Sequence, residues 1–251
     1  MAMSAWMIVA MKTLFGILAC VMFATLLWAT SMDGLASCID LRDKWFVVAL
    51  INFYINFAII GAWIVYKESS LIRAAVLISI AIILGSVITC GYIALQFFKL
   101  SPEESSNDPF YFVLVRHQKR DALEHMRRPS IVTARVIISL LGFLMLGTFI
   151  YTFVVHGSPM RVSTCMIAVV IDFYFHVVAL SVWVAYKESS WISAFFWILS
   201  LVCCGSIATC VYIVKQLFYL SPQQHVSLVL VNNSNTNLLT SDPLLMANTN
   251  A

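Results

Sequence analysis

Two ionisable side chains stand inside an otherwise apolar stretch: Asp172 and, four residues on, His176. Residues at i and i+4 share one face of a helix. A carboxylate and an imidazole so placed could bind a cation or relay a proton. The equivalent places in an earlier, related stretch hold Asn52 and Asn56, again four apart. These four groups also have a purely structural reading, because polar side chains tie apolar helices together at about 0.6 kcal/mol each on average. One Asp and one His are too few for a metal site, so neither a metal nor a cofactor is expected. No nucleophile motif, glycine-rich phosphate loop or zinc spacing occurs, which argues against an enzyme.

The elements that must hold these groups are set by composition. The chain has 251 residues, 61% hydrophobic and only 11% charged, with a mean hydropathy of +0.92. Soluble domains carry about a quarter charged residues, and a chain this short has too little interior to hide so much apolar surface. A bilayer core of about 30 Å needs roughly 20 apolar helical residues per crossing. Six stretches qualify: 6–30, 45–66, 71–98, 131–155, 163–185 and 191–218. Irregular backbone cannot face lipid and the alternation of an outer-membrane barrel is missing, so an all-α integral membrane protein is predicted. Lys12 before the apolar run Thr13–Thr30 resembles a secretory signal, but a later counterpart marks that run as a retained first helix. The formal charge of +3 and the scattered basic residues do not suit nucleic acid.

The chain repeats itself. Residues 45–102 align with 165–222 at a constant offset of 120, with 23 of 58 pairs identical. Tyr66–Ser70 matches Tyr186–Ser190 (Tyr-Lys-Glu-Ser-Ser twice), Gly85-Ser86 matches Gly205-Ser206, and Leu100-Ser101-Pro102 matches Leu220-Ser221-Pro222. Upstream the offset slips to 123, pairing Lys12 with Arg135. The organisation read from this is a first three-helix unit at 1–100, a polar and basic cytosolic loop at 101–130, a second unit at 131–222 and a polar, disordered tail at 223–251. Three spans per unit is odd, so the two units should face opposite ways. Such inverted repeats place sites near the bilayer midplane, where Asn52, Asn56, Asp172 and His176 would converge on one polar spot. Counting Lys and Arg on the two faces of six spans gives ten against five, with the loop 101–130 cytosolic and both termini outside. The Asn232 sequon fits a lumenal tail on that arrangement.

Other features carry second readings. The two short turns Lys67-Glu68 and Lys187-Glu188 read as anchored hairpins, with the serines capping the next helix, or as an ion mouth at either face. Gly85, Thr89, Tyr92 and Gln96, with Gly205, Thr209, Tyr212 and Gln216, form small-residue stripes suited to helix packing. The seven cysteines show no disulfide framework or metal pairing and read as small apolar residues. Phe110–Val115 followed by a basic stretch suits the cytosolic leaflet, with apolar residues inserted and Arg116, Arg127 and Arg128 near anionic lipid. A chain of this size is compatible with a homodimer.

Asp172-Phe173-Tyr174, the run Trp183–Trp191, Gly205-Ser206 and Leu220-Ser221-Pro222 resemble a plant family of multi-pass membrane proteins of about this length, catalogued only as a domain of unknown function. The resemblance covers most of the chain and is fuller in the second unit; the first departs from it at Asn52. It implies a membrane location, in endomembrane or plasma membrane, and no site residues. Two functions follow as expectations: a small transporter-like or channel-like protein with a midplane polar site, or a non-transporting scaffold acting through the loop 101–130.

Overall fold

The computed structural model of the chain describes residues 5–34, 42–101, 104, 108–115, 130–157, 163–220 and 226–230. Among them the regular structure is all helical. Four helices of 24 to 29 residues are long and apolar enough to cross a membrane: α1 (Ala5–Asp33), α2 (Lys44–Lys67), α6 (Ile131–His156) and α7 (Thr164–Lys187). The Asp43 carboxylate accepts from the Trp45 and Phe46 amides at the start of α2, and the Ser163 hydroxyl from Met166 at the start of α7. Each thus satisfies amides with no acceptor inside the helix.

The expected third and sixth spans are not single helices. The run 71–98 breaks at Gly85 into α3 (Leu71–Leu84) and α4 (Ser86–Phe98). Likewise 191–218 breaks at Gly205 into α8 (Trp191–Cys204) and α9 (Ser206–Phe218). Both glycines have a positive φ, with φ/ψ of 56/−131° and 59/−134°, a region that side chains with a Cβ avoid. The two halves double back on each other. A straight helix would separate Glu68 from Tyr92 by about 36 Å at 1.5 Å per residue, yet the Tyr92 hydroxyl donates to Glu68 Oε1 at 2.8 Å. In the second unit the Tyr212 hydroxyl meets Glu188 Oε1 at 3.1 Å, and the rings of Trp197 and Tyr212 lie 4.9 Å apart.

These hairpins overturn the inverted arrangement. A run that turns at its midpoint returns the chain to the end it left, so each unit contains two through-helices and a hairpin, and the parity argument fails. Both Tyr-Lys-Glu-Ser-Ser turns lie at the same end of the bundle, joined by the short α5 (Pro109–Leu114). Trp63 Nε1 donates to the Leu114 carbonyl at 3.1 Å, and the Lys67 ammonium to the Phe112 and Val115 carbonyls at 2.6 Å each. From the second unit, the Tyr186 hydroxyl donates to Asp108 Oδ2 at 2.9 Å, and its ring stacks on Phe110 at 5.1 Å. At the opposite end, Trp45 Nε1 donates to the Gly157 carbonyl at 3.0 Å. Lys12 covers the Phe98 ring at 4.9 Å and its counterpart Arg135 covers Phe218 at 4.7 Å, so α1 and α6 also run the same way.

The central core is built by α2 and α7 with the hairpins against them, through Phe53, Phe57, Ile64, Tyr92, Phe173, Val177, Trp183 and Tyr212. Outward faces remain apolar: Ile83 and Trp191 are 78% and 89% exposed, and Phe143 and Val154 of α6 are 71% and 75% exposed. Such a surface calls for an apolar surrounding.

Three further expectations change. Phe110 and Val113 are buried against the bundle, with the Phe97 and Tyr186 rings beside Phe110, rather than laid on a leaflet; the basic stretch beyond Val115 lies outside the described residues. Ser70 and Ser190 sit at the starts of α3 and α8 without a side-chain capping bond. Cys165 is disulfide-bonded, while Cys20, Cys90, Cys203, Cys204 and Cys210 are free and Cys38 lies outside the described residues.

Candidate functional site

The polar centre of the bundle is made by side chains of the through-helices meeting the two glycine breaks. Asp172 is the ninth residue of α7, about 12 Å along the helix from its start. Its Oδ1 accepts the Ser86 amide at 2.7 Å. The carboxylate thereby caps α4, where the helix dipole favours negative charge. It also fills the space over Gly85, where a Cβ would overlap the carboxylate. His176, one turn on, is 1% exposed. Its Nδ1 lies 2.9 Å from the Asp172 carbonyl oxygen, which can only accept, so Nδ1 carries the proton and donates. Nε2 then accepts from the Thr89 hydroxyl at 3.1 Å. Nδ1 is also 3.9 Å from Asp172 Oδ1. The imidazole is enclosed by the rings of Phe53 and Phe57, at 5.2 and 6.2 Å.

The second pole repeats the plan with neutral groups. Asn52 Oδ1 accepts the Ser206 amide at 2.9 Å and caps α9. A Cβ on Gly205 would meet the Asn52 amide at 2.9 Å and the Phe173 ring at 3.0 Å. Asn56 stands where His176 stands, but its shorter side chain does not repeat the bond to threonine. The Thr209 hydroxyl turns back to the Gly205 carbonyl at 3.3 Å. Asn56 is fully buried, and neither its Nδ2 nor its Oδ1 has a hydrogen-bond partner in the structure; the same holds for the hydroxyls of Ser86 and Ser206.

The single convergent spot is therefore two poles. Asp172 and His176 come together on α4, and Asn52 goes to α9. α7 caps α4 and α2 caps α9, so each half of the chain closes the break of the other. Sequence reasoning missed the Ser86 and Ser206 amides and gave the glycines a packing role. The available signal was length: 28 residues of helix span about 42 Å, too long for one crossing of about 30 Å, with Gly-Ser at the middle of both runs.

The turn residues do hold fixed roles. Glu68 accepts from Tyr92, and Glu188 from Tyr212, Gln216 and Ser193. Lys187 donates to the Leu228 carbonyl at 3.4 Å, in the 3₁₀ turn Val226–Leu230. These bonds tie the mouth of each hairpin to its own turn. Burial pushes the hydroxyl of Tyr111, on α5 and outside the helical spans, above its ordinary range, helped by Tyr66 and Asp108. Asn232 lies outside the described residues.

The chain belongs to the family described as Protein of unknown function (DUF1475), whose model matches residues 3–237. No curated protein and no solved structure matches it.

Proposed function

We propose that this is a multi-pass membrane protein of the transporter-like or channel-like kind. Four helices cross the bilayer, two re-entrant hairpins reach its middle, and the Asp172–His176 pole handles a proton or small cation. One observation carries this reading. Each hairpin delivers a helix N-terminus and a broken backbone to the centre of an apolar bundle, against a polar side chain of the other unit. Non-helical backbone and ionisable groups at that depth are costly, and occur where they line a pathway or site. Discontinuous helices with their ends at the midplane are a recurring transporter device.

The geometry also supports an orientation. A disulfide persists in an oxidising compartment, so the end holding Cys165 faces the lumen or exterior. The Tyr-Lys-Glu-Ser-Ser end is then cytosolic, together with both termini and the linker after Val115. Of the 15 Lys and Arg residues, only Arg42 and Arg161 in the links and Lys44 at the start of α2 fall at the other end, leaving twelve on the cytosolic side. That is a wider positive-inside margin than the six-span reading produced. The tail sequon at Asn232 is cytosolic on this arrangement and unused. Single thiols test it in sealed membranes of a cysteine-light background. Ser69→Cys and Ser189→Cys should react with an impermeant reagent from one compartment, and Met32→Cys and His156→Cys from the other. Opposite accessibility of the two serine positions would restore the inverted arrangement.

Transport is tested by proteoliposome flux under imposed pH and monovalent-cation gradients. The wild type should dissipate at least one of these gradients, and Asp172→Asn should reduce that flux at least tenfold. Asp172→Asn is expected to fold, because Asn52 already caps α9 through its own amide oxygen. Wild-type flux no greater than that of empty liposomes under all these gradients would remove the proposal.

A further inference from the structure

The two poles differ in charge but not in plan, and the difference points to a ligand. At the first pole the N-terminus of α4 meets a fixed carboxylate, Asp172, and the imidazole of His176 bonds Thr89. At the second pole the N-terminus of α9, a 13-residue helix, meets only the neutral amide of Asn52. The partial positive charge of that helix end, about half an elementary charge, has no matching carboxylate there. The first amides of a helix lack acceptors inside it, and only the Ser206 amide is taken by Asn52.

A second, independent observation lies on the same helix face. Asn56 is fully buried one turn beyond Asn52, and both atoms of its amide are without partners. The hydroxyl of Ser206, also fully buried, has no partner either. Replacing the imidazole of the first pole by the shorter Asn56 leaves Thr209 bonded weakly to its own helix, at 3.3 Å. The Asn56 amide, the Ser206 hydroxyl and the start of α9 therefore supply hydrogen-bond donors in a positive field, while the Thr209 hydroxyl is already spent on the Gly205 carbonyl. Unpaired buried donors cost about 1–3 kcal/mol each, so an occupant that accepts from several of them is favoured.

We propose that this second pole binds a small inorganic anion of halide size, which supplies the negative charge that Asp172 supplies to the first. The site does not depend on whether the Asp172–His176 pole moves ions. Asp172→Asn should leave anion binding intact even where it abolishes flux.

The experiment uses the purified full-length protein in detergent, with chloride titrated against gluconate at fixed ionic strength. Thermal unfolding and the linewidth of the chloride-35 resonance are both read. In the wild type the midpoint should rise saturably, by about 3 °C at a tenfold excess over Kd. The excess linewidth should be displaced by bromide. Asn52→Asp places a fixed carboxylate on α9 and should remove both responses, and Asn56→His, which rebuilds the imidazole of the first pole, should do the same. Should one variant fail to fold, the other decides. A wild type indifferent to chloride in both readouts would overturn the proposal, with water then the occupant of these groups. A chloride response that survives in the folded variants would also overturn it, by placing the anion elsewhere.

Discussion

Gly85→Ala should leave little folded protein, the largest effect expected of a single added methyl group in this chain. Two costs coincide at that position. The backbone at φ 56° and ψ −131° is a glycine conformation, and a Cβ there carries strain of about 1–3 kcal/mol. The new methyl would also overlap the Asp172 carboxylate, and forcing extra volume into a packed interior costs about 1–3 kcal/mol more. The carboxylate cannot simply retreat, because its Oδ1 holds the Ser86 amide at 2.7 Å. A total loss of about 2–6 kcal/mol is expected, a large share of the stability of a typical domain. Gly205→Ala should be harmful but milder, since its Cβ would meet the Asn52 amide and Phe173 ring at 2.9–3.0 Å. Yield after detergent extraction and size-exclusion behaviour check the pair. Wild-type behaviour of Gly85→Ala would mean that 71–98 is a continuous helix and that the hairpin is wrong.

Truncation of the first cap is expected to rank next, and it separates the structural from the chemical role of Asp172. Asp172→Ala leaves the Ser86 amide unpaired in the core and removes a carboxylate from the start of α4. An unpaired buried donor costs about 1–3 kcal/mol, and loss of an N-cap typically about 1 kcal/mol. A destabilisation of about 3 kcal/mol follows, against about 2 kcal/mol for Asn52→Ala, whose cap is neutral. Asp172→Asn should cost no more than about 1 kcal/mol, since an amide oxygen can accept the same bond. Unfolding of the three variants in denaturant, followed by tryptophan fluorescence, supplies the comparison. Equal losses for Asp172→Asn and Asp172→Ala would show that charge, rather than the hydrogen bond, holds the break closed. Minor losses for all three would mean that the hairpins are fixed by apolar packing alone.

Much of this protein follows from sequence alone. Its apolar composition and long hydropathic runs dictate helices in an apolar surrounding. The offset of 120 with 23 of 58 pairs identical reads as a duplication, and Asp172, His176, Asn52 and Asn56 stand out because polar groups inside apolar runs need a reason. Those inferences rest on local averages and on periodicity, which neighbouring residues decide among themselves. What only the tertiary structure decided is how the third run of each unit behaves. Glycine is tolerated inside a helix and also permits a reversal. Which outcome prevails at Gly85 depends on a carboxylate 86 positions away accepting the Ser86 amide. The same is true of Gly205 and Asn52, 154 positions from Ser206. Once both runs turn back, the units point the same way, the polar residues divide into two poles, and the two lysine turns share one end. No reading of either unit by itself contains that result, because each break is closed by a side chain from the other.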